Sequence, residues 1–290
     1  MNLSNVDRLH DQFQRYPLFR DTVSKGRTFG NAWEMEVDET IRALFPTDEK
    51  LAAAVQGYEK FSVEIMRLQI DFDRTGEYAP QTYDEADAAV YQNTEYMRDC
   101  YLPGLLLAWY LWPHHYQQLA FFKTFVRQMA RSDCQKFIEV ATGTGIYSRY
   151  ALLGAQNAIG VGYDISPASC AFTENHMRAF GLGGRYEVKL NNILEAAPAP
   201  VDWLICVELW EHLESPMDLL RTLRKMLNPG GRAFIATALN APNSDHIYLL
   251  RSMDECYAML HDAGFHVIQA QANAAYPGKM PPTVAAFVVS

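Results

Sequence analysis

Apolar positions along this chain follow two rhythms, and the change between them falls near residue 130. Before it, from about residue 30, apolar residues recur every three or four positions and no strand pattern stands out. Leu51, Val55, Tyr58, Phe61, Ile65, Leu68 and Phe72 fall on one face of a long helix, entered through Thr47 with Asp48 and Glu49 in its first turn. The stretch "TGEYAPQ" breaks that helix. Thr82-Tyr83-Asp84-Glu85 has capping-box spacing and predicts a second helix, carrying Val90, Tyr91 and Met97 until Pro103 ends or bends it. A further helix spans about Tyr116 to Arg131. Residues 1 to 29 are polar and weakly patterned, and read as a mobile arm or a lid that orders on ligand binding.

After residue 135, short β-branched or apolar runs alternate with helical stretches, the pattern of a mostly parallel sheet with covering helices. Strands are predicted at Lys136 to Ala141, Ala158 to Asp164, Tyr186 to Leu190, Asp202 to Glu208, Arg232 to Ala238, His266 to Ala272 and Val284 to Val289. Ser166-Pro167 and Ser215-Pro216 read as an N-cap followed by proline at the first helical position, and Ser252-Met253-Asp254-Glu255 as another capping box. Only a turn around Pro277-Gly278 joins the last two strands, so the sheet should end antiparallel. The fold class is therefore α/β, a seven-stranded mostly parallel sheet with an antiparallel last strand, in residues 131–290. An all-α cap occupies residues 1–130.

Composition narrows the partners. A net charge of -9 with no block of Lys or Arg argues against nucleic acid, whose affinity is dominated by cationic contacts to phosphate. Five widely spaced cysteines, odd in number and without a C-x-x-C pair, read as reduced thiols rather than a disulfide framework or a zinc site. The longest apolar run, "LLLAWYLW", is too short to span a bilayer, and the first residues hold no apolar signal core. The expectation is a cytoplasmic protein with no membrane partner, compatible with a homodimer.

The chemistry concentrates at "FIEVATGTGIYSRY", where a strand breaks into a small-residue turn before a helix, so that a ligand can lie against bare main chain. A dinucleotide fingerprint wants a third glycine where Ser148 stands, and no G-K-[ST] triplet marks a P-loop. Glu139-Val140-Ala141-Thr142-Gly143-Thr144-Gly145 resembles the first motif of class I S-adenosylmethionine (SAM)-dependent methyltransferases, an acid-x-Gly-x-Gly-x-Gly run, with Ala141 in place of the first glycine. Further matches follow in the family's order: Asp164 in "GVGYDISP", Asn191-Asn192-Ile193 after the third strand, and "CVELWEHLESPMDLLRTLRKMLNPGGR" as the fourth strand, its helix and the turn before the fifth. The resemblance covers about residues 135 to 238 and implies a Rossmann-like sheet with SAM as cofactor. It implies a cofactor site of Glu139, Ala141, Thr142, Gly143, Gly145, Asp164, Ile165, Asn192, Ile193 and Glu208, with Asp164 accepting from the ribose hydroxyls. Glu208, Glu211 and His212 suggest a metal only superficially, since no further ligands cluster with them in the sequence, and none is expected.

The second substrate belongs outside the C-terminal strand ends. There "LNAPNSDHIYLLRS" supplies Asn240, Asn243, Asp245, His246 and Tyr248. The cap supplies Tyr91, Tyr96, Tyr101, Trp109, Tyr110, Trp112, His114, His115 and Tyr116, most of them as packing and a few, Tyr91 and Tyr96 among them, as candidate site residues. His246, paired with Asp245, is the first candidate for a general base or substrate orienter; a loop-ordering hydrogen bond is the alternative. The leading expectation is methyl transfer to a small molecule. The layout is also similar to enzymes that cyclise SAM to azetidine-2-carboxylic acid and methylthioadenosine. A non-catalytic binding module comes third, and a nicotinamide-linked oxidoreductase ranks below it.

Overall fold

The computed structural model describes residues 4–79 and 82–290. The N-terminal part runs α1 (Asn5–Phe13), α2 (Thr22–Arg27), α3 (Asn31–Leu44) and α4 (Asp48–Thr75). Far from forming an arm or lid, α1 and α2 bury Val6, Leu9, Phe13 and Val23 in the main core. Their few apolar residues all fall on one face, which is why a polar average misreads them. Helix α4 starts at Thr47, whose side chain accepts from the Lys50 amide, and stops at Gly76 in the left-handed region. Ile65 and Leu68, on the predicted apolar face, are only partly buried.

The second predicted helix forms in pieces: α5 (Tyr83–Ala86) behind its Thr82 capping box, a π-helical turn at Asp87–Tyr91, α6 (Thr94–Tyr96), and a second π-helical turn at Met97–Tyr101. The break comes at Asn93, whose side chain caps α6 by accepting from the Tyr96 amide. Pro103, expected to end or bend the helix, sits in the first turn of α7 (Leu102–Leu111), where its missing N–H leaves nothing unpaired. Pro113 likewise opens α8 (Pro113–Arg131). Of the predicted break "TGEYAPQ", Pro80 and Gln81 lie outside the described residues.

The second part alternates β1 (Lys136–Val140), α9 (Ile146–Gly154), β2 (Ile159–Asp164), α10 (Pro167–Ala179), β3 (Tyr186–Leu190), β4 (Val201–Val207), α11 (Pro216–Lys225), β5 (Leu227–Leu239), α12 (Met253–Asp262), β6 (Val267–Ala274) and β7 (Thr283–Val289). The sheet order is β3-β2-β1-β4-β5-β7-β6, with β7 antiparallel to both neighbours and the other pairings parallel. Period-two alternation divides its side chains between two cores. Phe137, Trp203, Phe234 and Val288 face α8, α9 and the N-terminal helices, while Ile138, Leu204, Ile235 and Phe287 face α11 and α12. Among the described residues no helix is long and apolar enough to cross a membrane.

Candidate active site

Three neighbouring strands end in the same unusual way. The residues that follow β1, β4 and β5 directly, Ala141, Glu208 and Asn240, hold φ values of 58°, 50° and 52°, a region that L-residues other than glycine enter at a cost. The sharp turns this makes leave a crevice at the C-terminal edge of the sheet. Gly143 and Gly145 continue the first turn with φ of 49° and 74°, and a Cβ on Gly145 would stand 2.9 Å from Thr173 Cγ2. Glycine is needed there for backbone and for space.

Asp164 organises that turn. Its Oδ2 accepts from the Gly143 amide at 3.0 Å and from Thr142 Oγ1 at 3.4 Å, and its Oδ1 accepts from the Ser166 amide at 2.9 Å. Burial raises its pKa, against the pull of those amides. Thr173 and His176 on α10 donate to the carbonyls of Gly143 and Thr144, at 3.1 and 2.6 Å. Glu139 lies behind the turn, accepting from Ser148 and from Tyr186 at 3.0 Å, and burial lifts its pKa to about 7.

A cavity of about 590 Å³ opens in front of these strand ends, roofed by α4, the π-helical turns and α7. Of the predicted cofactor residues, Ala141, Gly143, Asp164, Ile165, Asn192, Ile193 and Glu208 line it, whereas Glu139, Thr142 and Gly145 support it from behind. Burial and the nearby Glu211 push the Glu208 carboxyl up to about 8. Among the cap aromatics, Tyr91, Tyr101, Trp109, Trp112, His114 and His115 face the cavity. Tyr110 pairs instead with Arg149 and Thr40, and Tyr116 with Glu36. Tyr96 does not line the cavity; its hydroxyl donates to Glu64 on α4 at 2.7 Å.

The pairing of His246 with Asp245 does not form. Asp245 is fully buried, and its Oδ2 accepts from Tyr91 at 3.0 Å and Tyr101 at 2.7 Å. Its imidazole partner is His212, with Nδ1 at 3.4 Å from Oδ2. Burial alone would lower His212, yet the Asp245 carboxylate raises it to about 9, and the His212 ring in turn holds Asp245 well below the usual carboxylate range against its own burial. Both tyrosines are pushed far up by burial and by Asp245, so they act as proton donors to it. His246 turns the other way. Its Nδ1 lies 2.5 Å from the Ala241 carbonyl, which can only accept, so the proton sits on Nδ1 and Nε2 keeps its lone pair. Burial and the neighbouring His212 lower its pKa and keep the ring neutral.

A family profile described as "Methyltransferase domain" matches residues 138–233, the segment that carries the glycine turn, Asp164 and the β4 turn. The chain carries the class I SAM-dependent methyltransferase fold. The bare turn with the Asp164 carboxylate beside it fits SAM as a ligand. Among similar proteins with this methyltransferase fold, the ubiquinone biosynthesis O-methyltransferase of Pseudomonas syringae pv. tomato is 28% identical over 121 residues, 41% of this chain and 51% of that protein. The chain thus spans about half the length of the curated relatives it matches. Two solved structures share the fold at low identity. PigF with SAH aligns at a TM-score of 0.56 and 15% identity, covering 82% of this chain and 73% of that one. The mitomycin 7-O-methyltransferase MmcR aligns at 0.55 and 13%, covering 90% and 76%.

Sequence reasoning passed over His212 as a site residue. Its imidazole gains its role only from Asp245, 33 positions later, and no local pattern records that contact. Tyr101 stood among the cap aromatics without distinction, although its hydroxyl is the shorter of the two phenol bonds to Asp245.

Proposed function

We propose that this protein is a SAM-dependent methyltransferase acting on a small molecule. The observation that carries the reading is the single cavity of about 590 Å³ that joins the glycine turn and Asp164 to the neutral imidazole of His246. When bound, SAM supplies a sulfonium methyl open to in-line attack. The chain's own contribution is positional, and orientation of this kind can supply roughly 7–11 kcal/mol. Tyr101, Trp109 and Trp112 exclude water and offer aromatic faces to a cation, worth about 0.5–2 kcal/mol each. His246 Nε2 takes the proton of an acceptor that arrives protonated. The methyltransferase relatives support this reading, and the size of the space points to a small acceptor.

The aromatic roof of Tyr101, Trp109 and Trp112, which would enclose a sulfonium whether or not an acceptor joins it, supports a second reading: SAM as the substrate, cyclised to azetidine-2-carboxylic acid with release of methylthioadenosine. Incubating the protein with SAM alone and analysing products by mass spectrometry separates the two. Intact SAM, followed by S-adenosylhomocysteine once phenolic or amine acceptors are added, supports methyl transfer. Methylthioadenosine and a four-membered-ring amino acid in equal amounts would replace it with cyclisation.

A further inference from the structure

Glu211, His212 and His246 each place one donor atom within 4.8 Å of the others, and all three residues are buried. We propose that these three side chains bind a divalent transition-metal ion, with its open coordination positions facing the cavity. The two histidine rings stand at 88° to each other with centroids 4.7 Å apart. Each has its Nδ1 engaged by an outer partner: His212 by Asp245 and Tyr91, His246 by the Ala241 carbonyl. Each therefore keeps Nε2 for a ligand. A carboxylate or backbone carbonyl behind each ring is the arrangement that orients metal-binding imidazoles and raises their basicity.

Glu211 is fixed just as firmly. Its Oε2 accepts from Thr237 Oγ1 at 2.7 Å and its Oε1 from the Ala238 amide at 2.9 Å, so each oxygen retains a lone pair. Two imidazole nitrogens and one carboxylate make a donor set suited to zinc or iron(II) with open positions. The surrounding charge points the same way. Glu211 and Asp245 both act on the Glu208 carboxyl, and among the described residues Glu208 Oε1 and Asp245 Oδ1 are buried without a hydrogen-bond partner. A dication offsets that excess. Both histidines line the cavity, so the ion meets the second substrate there; with His246 Nε2 engaged as a ligand it no longer serves as the base, and the ion instead acidifies an acceptor hydroxyl whose proton passes to water. That role rests on the methyl-transfer reading; the binding itself does not.

The test is calorimetric titration of chelator-stripped full-length protein with zinc chloride, with cobalt(II) absorption as a second readout. The expected result is one ion per chain, visible cobalt bands, and affinity reduced at least about ten-fold in both His246→Gln and Glu211→Gln. Circular dichroism establishes which variants are folded, and either one alone is sufficient. Absence of binding, or unchanged affinity in a folded variant, overturns the site. SAM titrated into the metal-free wild type reports separately on the cofactor reading: SAM bound without any zinc site rejects only the metal, and zinc bound without SAM rejects only the cofactor assignment.

Discussion

Replacing Glu139 by Gln should stabilise the protein at neutral pH and not at acid pH. Glu139 is buried under the glycine turn, and burial raises its carboxyl from 4.5 to about 7, even though Ser148 and Tyr186 donate to it. Below pH 4.5 the group is protonated in both folded and unfolded chains and costs nothing. Between 4.5 and about 7 the unfolded chain releases the proton while the folded one retains it, so stability falls as pH rises. At roughly 1.4 kcal/mol per unit of pH the loss is complete near pH 7, at about 3 kcal/mol. Glutamine keeps the shape and an acceptor oxygen for Ser148 and Tyr186 without the titration. Urea unfolding of both proteins from pH 4.5 to 8, without SAM, gives the difference directly, because every other group cancels. The difference should grow by about 3 kcal/mol up to pH 7 and then stay level. A difference that is flat across the range, or a variant less stable at pH 8, would refute the reasoning.

Gly145→Ala places a Cβ 2.9 Å from Thr173 Cγ2 at a φ of 74°. Left-handed backbone and overpacking together cost roughly 2–5 kcal/mol, to be read from urea unfolding, and SAM affinity by calorimetry should fall with it. Asp245→Asn removes the charge that accepts from Tyr91 and Tyr101 but keeps one acceptor oxygen, so a loss of about 2–4 kcal/mol is expected at pH 7. An unchanged unfolding midpoint would mean that the roof is held without it. Tyr96→Phe loses the hydrogen bonds to the Glu64 carboxylate and to Ser244, about 1.5–3 kcal/mol, and should leave SAM affinity unaltered because the side chain lies outside the cavity. A change in affinity would place Tyr96 back in the site.

The sheet was legible because its signals are local. Apolar runs between small-residue turns locate all seven strands within a residue or two, except that β5 begins at Leu227, before the Asn-Pro-Gly-Gly that reads as a turn. There the strand pairs irregularly, with a register shift between Val201 and Trp203. The glycine turn and Asp164 were legible because their spacing is fixed by one strand-turn-helix unit and its neighbour. The acid–imidazole pairing was not. Asp245 meets His212 across two loops, and its phenol partners depend on the rotational phase of helices that periodicity alone draws as one continuous rod. The burial of α1 and α2 was hidden for a related reason, since four scattered apolar residues show no excess until they share a face.

That rotational phase has an evolutionary side. A π-helical turn amounts to an α-helix with one residue inserted, and two such turns, Asp87–Tyr91 and Met97–Tyr101, end on the two tyrosines that reach Asp245. Deleting one residue from the second turn would rotate everything before it by about 100° relative to α7 and carry Tyr91 away from the carboxylate while Tyr101 stays. The roof of the cavity can thus be re-dealt by single-codon insertions and deletions, leaving the sheet and the cofactor turn as they are. Lineages sharing this sheet could change what they accept above it in steps of one residue.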